Sequence, residues 1–353
     1  MISYCTKCRN QVRAAACQRF LTPFLLLPFL LPMLGSVSLA EQYADPLPCD
    51  TAVDDALEAP RCAEAAWWAT ADLVYWQAHL RSLDYAASED GTSLALGAGQ
   101  THRVDFDRDA GIRTELGYMT QVGWGLGVSF TGFTTEGDAS VVRPAGVGQL
   151  FSTLSHPGGP EEADVASATT TFDYKTFDVL ARCRLIDERF KGIDLFGGLR
   201  WAKIRHNLTA VYDGRDFVNG LVDDQIDIDA LGFLFGGQVH WRLARGWSVF
   251  GRSSLGAMYG RFDDWRLETN LDGLEQLVDY RDSYQQPMLN FDSRLGLSKA
   301  IGNLQVRAGY DLNIWTSLGD RVLFVDDIEE ATFTSSAGDV LLEGFFLQLV
   351  HSW

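Results

Sequence analysis

From residue 67 onward, apolar and polar residues alternate with a period of two. The clearest run covers residues 304–314, where apolar side chains at the even positions alternate with polar residues or glycine at the odd ones. Successive side chains of a β-strand point to opposite faces, so this run has one apolar face and one polar face. The alternation predicts strands and excludes amphipathic helices for most of the chain.

The same pattern predicts ten strands, near residues 68–79, 104–120, 122–134, 169–187, 192–212, 227–243, 246–262, 285–299, 303–316 and 339–353. Several runs reach the roughly 9–11 residues that a membrane strand needs, whereas strands of soluble proteins average about 5–6. The connections between the strands are alternately short and long, as in barrels with short periplasmic turns and long outer loops. We therefore predict an all-β, transmembrane, antiparallel up-and-down barrel. Twelve strands stay open if residues 135–168 contain a further hairpin.

The two ends of the chain support export to a membrane. Residues 1–40 hold four bases and no acid, then an apolar run at 20–34, then Ser38-Leu39-Ala40. This order predicts a signal peptide cleaved between Ala40 and Glu41, because the apolar run is shorter than the roughly 20 residues of a membrane helix. Residues 41–66 are predicted to be a flexible periplasmic leader and residues 67–353 the barrel. The last strand ends on Trp353, a form typical of the barrel-assembly signal.

Charge narrows the range of partners. The chain has a net charge of −18, and removal of residues 1–40 leaves 25 basic and 47 acidic side chains. Nucleic-acid binding needs a basic face, so we exclude it. The expected partners are outer-membrane lipid, the barrel-assembly machinery, and ions or small solutes.

The six cysteines divide into two groups. Cys5, Cys8 and Cys17 belong to the predicted signal peptide and would be removed. Cys49 and Cys62 could close a short disulfide loop in an oxidising periplasm, or remain free thiols in the leader. Cys183 is expected to stay unpaired on a strand.

No catalytic, metal or cofactor motif stands out. None of the six histidines lies in a motif that supplies a nucleophile and an orienting acid, and His351 and Ser352 are neighbours on a strand whose side chains diverge. Acidic clusters at 223–224, 263–264 and 326–330 fall in predicted outer loops, where we interpret them as solvated charge, with calcium binding left open. The sequence thus predicts a protein that is not an enzyme and needs no cofactor or metal.

Several segments, taken in order, resemble one family. They are residues 68–76 (WATADLVYW), 197–204 (GGLRWAKI), 232–237 (GFLFGG), 247–251 (WSVFG) and 255–262 (LGAMYGRF), with Gly309-Tyr310, Trp315 and the closing strand. This order resembles the Legionella major outer membrane protein-like family of pore-forming outer membrane proteins, which has planctomycete members. The resemblance covers roughly residues 67–353, and it implies an outer-membrane barrel that forms a pore.

Polar residues on the inward face are the candidate site. The predicted lumen-facing residues are Asp72, Arg113, Glu115, Asp178, Arg182, Arg184, Arg200, Gln238, Arg242, Arg252, Asn290, Asp292, Arg294, Gln305, Arg307, Asp311 and Asn313. Eight arginines against five acids would favour anions in a water-filled lumen. Ten strands lie closer to the filled eight-stranded barrels than to open 16–18-stranded ones. The sequence predicts a passive, narrow pore; the alternative is a non-conducting structural or adhesive surface barrel that displays acidic outer loops.

Overall fold

The computed structural model describes residues 66–318, except 90, 92–98, 122 and 157, together with 322–324, 333–335 and 338–353. The predicted signal peptide, the cleavage position between Ala40 and Glu41, the leader up to residue 65 and the Cys49–Cys62 pair lie outside the described residues. The acidic cluster at 326–330 also lies outside them.

The described residues form fifteen strands: β1 (Ala66–Leu80), β2 (Asp84–Glu89), β3 (Gln100–Arg103), β4 (Arg108–Met119), β5 (Trp124–Val142), β6 (Gln149–Ser152), β7 (Val165–Asp187), β8 (Lys191–Gly214), β9 (Phe217–Arg242), β10 (Trp247–Asn270), β11 (Glu275–Ile301), β12 (Leu304–Trp315), β13 (Val322–Phe324), β14 (Phe333–Ser335) and β15 (Val340–Ser352). Ten of them close an antiparallel barrel in the order β1-β4-β5-β7-β8-β9-β10-β11-β12-β15. The predicted ten-stranded barrel is confirmed. Within 135–168, the short strand β6 joins the separate sheet β3-β2-β6, so the twelve-strand alternative is wrong.

The first and last strands close the barrel. β1 pairs with β15 from Trp68 opposite Ser352 to Leu80 opposite Val340. The backbones of Trp67 and Trp353 exchange two hydrogen bonds, of 2.9 and 3.1 Å. Both chain ends of the barrel therefore lie at the end where the short turns connect β4–β5, β7–β8, β9–β10 and β11–β12, which we call the turn end. We call the opposite end the loop end.

An apolar belt surrounds the barrel next to the turn end. Every barrel strand contributes an exposed apolar side chain, for example Leu73, Ile112, Leu126, Val179, Leu199, Phe233, Leu255, Leu295, Tyr310 and Leu347. Exposed aromatic residues border the belt on both sides, with Trp67, Trp241, Trp247 and Trp353 at the turn end and Tyr75, Trp201 and Tyr259 towards the loop end. An apolar band between two aromatic girdles is the exterior of an outer-membrane barrel. We call this part of the barrel the membrane half.

Beyond the belt, the apolar and polar faces of the strands exchange places. On β8, Leu199 and Trp201 point outward and Arg200 points inward, but from Ala202 onward the inward residues are apolar, including Ile204 and Leu208, and Arg205 is exposed outside. β7 and β9 show the same exchange, where Lys175 and Asp229 lie on the outside. This part of the barrel, which we call the projecting half, therefore has a polar exterior and an apolar core, as a soluble protein does.

The projecting half is filled by the small sheet β3-β2-β6. The Tyr212 hydroxyl donates a 2.6 Å hydrogen bond to the backbone carbonyl of Tyr85 on β2. Phe106 packs edge-to-face on Phe172 at 6.2 Å between ring centroids. These contacts belong to one continuous core that covers the inner faces of β7 to β10.

Two predicted outer loops are instead strand. β8 and β9 run on to a tight turn at 215–216, and β10 and β11 to a turn at 271–274, so the long loops expected near 213–226 and 263–284 are wrong. Asp223-Asp224 and Asp263-Asp264 consequently lie on strands. Asp264 is buried, and Asp224 pairs with Arg266 at 3.4 Å, so the interpretation of these clusters as solvated loop charge is wrong for these two residues.

Two further points concern the chain as a membrane protein. Among the described residues, no helix is long and apolar enough to cross a membrane. Cys183, near the turn end of β7, is disulfide-bonded, and its partner lies outside the described residues. The expectation that Cys183 stays unpaired is therefore wrong.

Candidate functional site in the barrel interior

Charged side chains fill the interior at the level of the belt. They are Asp72, Arg113, Asp178, Arg200, Asp292, Arg294 and Asp311, with the amides Asn290 and Asn313, and we call them the middle layer. All nine occupy inward positions of their strands, and seven of them are at most 8% exposed. A charged group taken out of water must be paired or hydrated, so the partners of each group decide what this layer can do.

One group of ion pairs joins β1, β4, β11 and β12. Arg113 Nη1 lies 2.8 Å from Asp311 Oδ2 and 3.7 Å from Asp72 Oδ2. Arg294 bridges the same two carboxylates, at 3.3 Å from Asp72 and 3.6 Å from Asp311. Gln348 donates a further 2.8 Å hydrogen bond to Asp72. Two arginines and two aspartates thus neutralise one another across the lumen.

A second group is centred on Arg200. Its guanidinium donates two hydrogen bonds to Asp178, of 2.7 and 2.8 Å, and also pairs with Asp292 at 2.6 Å. Asn290 accepts a hydrogen bond from Arg200 and donates one to Asn313 at 3.0 Å. The bidentate Arg–Asp geometry is the strongest form of such a pair. These contacts connect β7, β8 and β11 across the barrel.

An aromatic layer covers the middle layer on its loop-end side. Trp76 packs edge-to-face on Phe133 at 5.4 Å and on Tyr174 at 6.3 Å, and Tyr174 packs on Trp315 at 6.0 Å. All four rings are buried, and Asn313 donates a 3.1 Å hydrogen bond to the Tyr174 hydroxyl. The cavity left between the middle-layer side chains measures about 20 Å³, room for one or two water molecules.

Below the middle layer, a cavity of about 590 Å³ opens at the turn end. We call it the vestibule, and its charged lining residues are Glu115, Arg182, Arg184, Arg189, Asp194, Arg242, Arg252 and Arg307. Its mouth is formed by residues next to the chain ends and the β9–β10 turn, among them Ala66, Gly246 and Ser352. In the predicted membrane orientation this mouth faces the periplasm.

Glu115 organises the wall of the vestibule. It accepts a 3.1 Å hydrogen bond from the Trp68 indole, forms an ion pair with Arg182, and lies 3.4 Å from Arg252. Two carbons of the Trp68 ring lie so close to Gly117 that an added Cβ atom would overlap them. A glycine at position 117 is therefore what allows the indole to reach Glu115.

The structure separates the predicted lumen residues into two groups. Asp178, Arg200, Asp292, Arg294 and Asp311 belong to the middle layer. Arg182, Arg184, Gln238, Arg252 and Arg307 line the vestibule, and Arg242 lies at its rim, paired with Asp187 at 2.6 Å. A role of these residues in lining a pore stays a prediction.

The aromatic layer was missed by the sequence reasoning. Its signal was present, because Trp76 and Trp315 have the same parity as the inward-facing Asp72 and Asp311 of their strands. Large apolar residues at inward positions indicate a filled interior.

Among the described residues, no group of three or more His, Cys, Asp or Glu side chains could hold a metal ion. Calcium binding by the 326–330 cluster lies outside the described residues and stays untested.

Several solved outer-membrane barrels are similar to this chain in fold. The fold is similar to the outer membrane protease OmpT from Escherichia coli (13% identity, TM-score 0.47, covering 82% of this chain and 97% of that chain). It is also similar to a major outer membrane protein from Thermus thermophilus (10% identity, TM-score 0.32, 82% and 99%) and to Ail, the attachment invasion locus protein of Yersinia pestis (11% identity, TM-score 0.23, 82% and 99%). At these identities the likeness concerns the fold alone.

Sequence comparison assigns the family and the location. No curated protein matches the chain. A family model described as Legionella pneumophila major outer membrane protein precursor matches residues 58–352. The chain therefore belongs to this family and, with its closed ten-stranded barrel, is a β-barrel of the bacterial outer membrane.

Proposed function

We propose that this protein is a structural, non-enzymatic barrel that does not conduct in its resting state. The observation that carries the proposal is the closed interior of the membrane half. The charges of the middle layer are buried and paired with one another around a cavity of about 20 Å³, and the aromatic layer lies directly above them. Both layers would have to rearrange before an ion or a small solute could pass.

The energetics of the middle layer support a permanent closure. Removing one partner of a buried ion pair costs about 3–5 kcal/mol, because the other charge is left uncompensated. Arg113, Arg200 and Arg294 each contact two carboxylates, so moving one of them aside breaks two ion pairs. The pore predicted from the sequence assumed that these arginines line water, and their pairing removes much of the support for anion conduction.

The projecting half supports a role at the cell surface. β10 continues from Tyr259 at the edge of the belt to Asn270, eleven residues that extend roughly 35 Å along the strand. Pairing with β9 and β11 holds this arm in a fixed geometry, and its core is packed. We propose that the barrel anchors this rigid, polar structure outside the membrane.

Planar-bilayer recording of the refolded mature protein tests the proposal. Folded protein should insert without a steady current in 1 M KCl. Steady ohmic steps of uniform size would overturn the closed-barrel proposal and restore the pore. In that case, substitution of Arg294 and Arg307 by Glu should move the reversal potential towards cations, as expected if these two arginines face the passage.

A further inference from the structure

The vestibule contains a surplus of positive charge that the side chains of the described residues do not neutralise. Six arginines line it, against the two carboxylates Glu115 and Asp194. The middle layer has three arginines against four aspartates. The arginine surplus of the lumen therefore lies in the vestibule, which opens at the turn end.

Of the three arginines at the rim, Arg189 is exposed to solvent in the β7–β8 turn, and the other two have acidic partners. Arg184 lies 3.3 Å from Asp194 and 3.5 Å from Asp187. Arg242 lies 2.6 Å from Asp187. These two guanidinium groups are thus compensated at the mouth, and the surplus belongs to the deeper part of the vestibule.

Three deeper arginines have one carboxylate among them, and only two of the three contact it. Arg182 and Arg252 both contact Glu115, and the Arg182 Nε atom is buried without a hydrogen-bond partner among the described residues. Arg307 hydrogen-bonds only the amides of Gln305 and Gln348 and forms no ion pair among the described residues. The charge of Arg182 repels both Arg252 and Arg307.

The size and lining of the cavity fit a small polar ligand. About 590 Å³ lies within the range of 300–1,000 Å³ that is usual for ligand sites. Neutral hydrogen-bonding groups surround the arginines, including Gln238, Gln348, Ser248 and Ser298. Guanidinium groups match the geometry of phosphate oxygens, and each N–H to phosphate bond is charge-assisted.

We propose that the vestibule is an anion-binding site that takes the phosphate group of a small soluble molecule from the periplasm. Arg182, Arg252 and Arg307 bind the anion, and the neutral amides and hydroxyls contact the rest of the ligand. A bound phosphate supplies the negative charge that Glu115 alone cannot. The barrel wall separates the cavity from lipid, and its lining combines the arginines with apolar groups such as Trp68 and Phe250. The ligand is therefore a free solute and not a lipid.

Titration with inorganic phosphate tests this proposal on the refolded mature protein in zwitterionic detergent. Calorimetry should show saturable binding at one site per chain. The double variant Arg182→Gln/Arg307→Gln should bind about tenfold or more weakly, since it loses two charge-assisted contacts. Arg261→Gln is the matched control, because Arg261 lies exposed on the outside of the barrel. The affinity of this variant for phosphate should equal that of the wild-type protein.

Two results of the titration would overturn the phosphate site. Wild-type protein that shows no saturable heat up to 10 mM phosphate overturns the site, as does an unchanged affinity in the double variant. If the double variant does not fold, competition on the wild type replaces it: phosphate should slow the modification of Arg182 and Arg307 by phenylglyoxal and leave that of Arg261 unchanged, and equal slowing at all three overturns the site. A protein that conducts and binds phosphate would overturn only the closed-barrel proposal, so the two failures are distinguishable.

Discussion

The membrane half and the projecting half are made by the same strands but are built in opposite ways. In the membrane half, Phe235 faces outward and Gln238 inward; in the projecting half, Asp229 faces outward and Ile228 inward. On β9 the odd-numbered residues face outward and the even-numbered residues face inward in both halves. What differs is the surrounding medium, which is lipid around one half and water around the other. A strand that leaves lipid for water must move its apolar residues to the inner face, and the exchange of faces therefore marks the membrane boundary.

The middle layer provides the largest expected effect. Arg200→Met should lower the free energy of unfolding by about 3–5 kcal/mol, because Asp178 and Asp292 are left buried without their shared cation. Arg205→Met, five residues further along β8, removes an exposed pair with Asp227 and should cost at most about 1 kcal/mol. Urea unfolding of the two variants in lipid vesicles measures both. Equal losses would show that interior and exterior arginines do not differ as described.

The apolar belt provides the next effect. Phe235→Arg should destabilise the barrel by about 2–4 kcal/mol, because it places a charge on the lipid-facing side near the middle of the membrane. Gln238→Arg faces the vestibule on the same strand and should be far milder. Refolding yield and unfolding in vesicles would measure both, and a milder Phe235→Arg than Gln238→Arg would reverse the assignment of the two faces.

Removing an arginine from the vestibule should change the free energy of unfolding less than removing one from the middle layer. Arg307→Met removes a guanidinium that has no carboxylate partner among the described residues, so in phosphate-free buffer its effect on unfolding should lie within about 1 kcal/mol of zero, in the range of a substitution that breaks no buried ion pair. The same unfolding assay applies. A loss as large as that of Arg200→Met would mean that Arg307 is neutralised inside the protein.

The smallest effect concerns pH in the projecting half, outside the membrane. Burial raises the pKa of Glu268 above its ordinary value, although the carboxylate accepts a 3.1 Å hydrogen bond from the His156 backbone and lies near His156 and Arg266. A raised pKa in the folded state means that this carboxyl stabilises the fold below its ordinary pKa and that this contribution is lost as pH rises through the raised value. The difference in melting temperature between Glu268→Gln and the wild type should therefore shift in favour of the variant as pH rises from 4 to 7, because only the wild type has a carboxyl that ionises there. Thermal unfolding measures this difference. A constant difference across this range would contradict the assignment.

The sequence predicted the membrane half closely, for a physical reason. Lipid requires an apolar residue at every second position, so the ten strands were visible as alternation. At 221–229, Val222, Ile226 and Ile228 are apolar at the parity opposite to that of Leu231 and Phe233. The exchange of faces interrupts the alternation on β9, so the pattern indicates a loop up to residue 226, where β9 in fact begins at Phe217.

The sequence predicts which side chains face the lumen, but not which partner each of them contacts. Parity shows that Arg200 and Arg307 both face inward, yet it cannot show that Arg200 meets Asp292 across the barrel while Arg307 meets only amides. Those contacts depend on strand register and barrel curvature. Cys183 was missed for a similar reason, since a disulfide partner distant in sequence leaves no local signal.

Sided thiol labelling tests the closed interior most directly. A Gln305→Cys variant places a thiol in the vestibule, and proteoliposomes hold the protein in both orientations. External protease that cuts the projecting half reports the fraction of molecules with the loop end outside, and wild-type protein gives the background from native cysteines. An external, membrane-impermeant methanethiosulfonate should then label only the remaining molecules, those with the turn end outside. Labelling of the introduced thiol in molecules of both orientations would mean that the reagent passes the middle layer, and the closed barrel would be wrong.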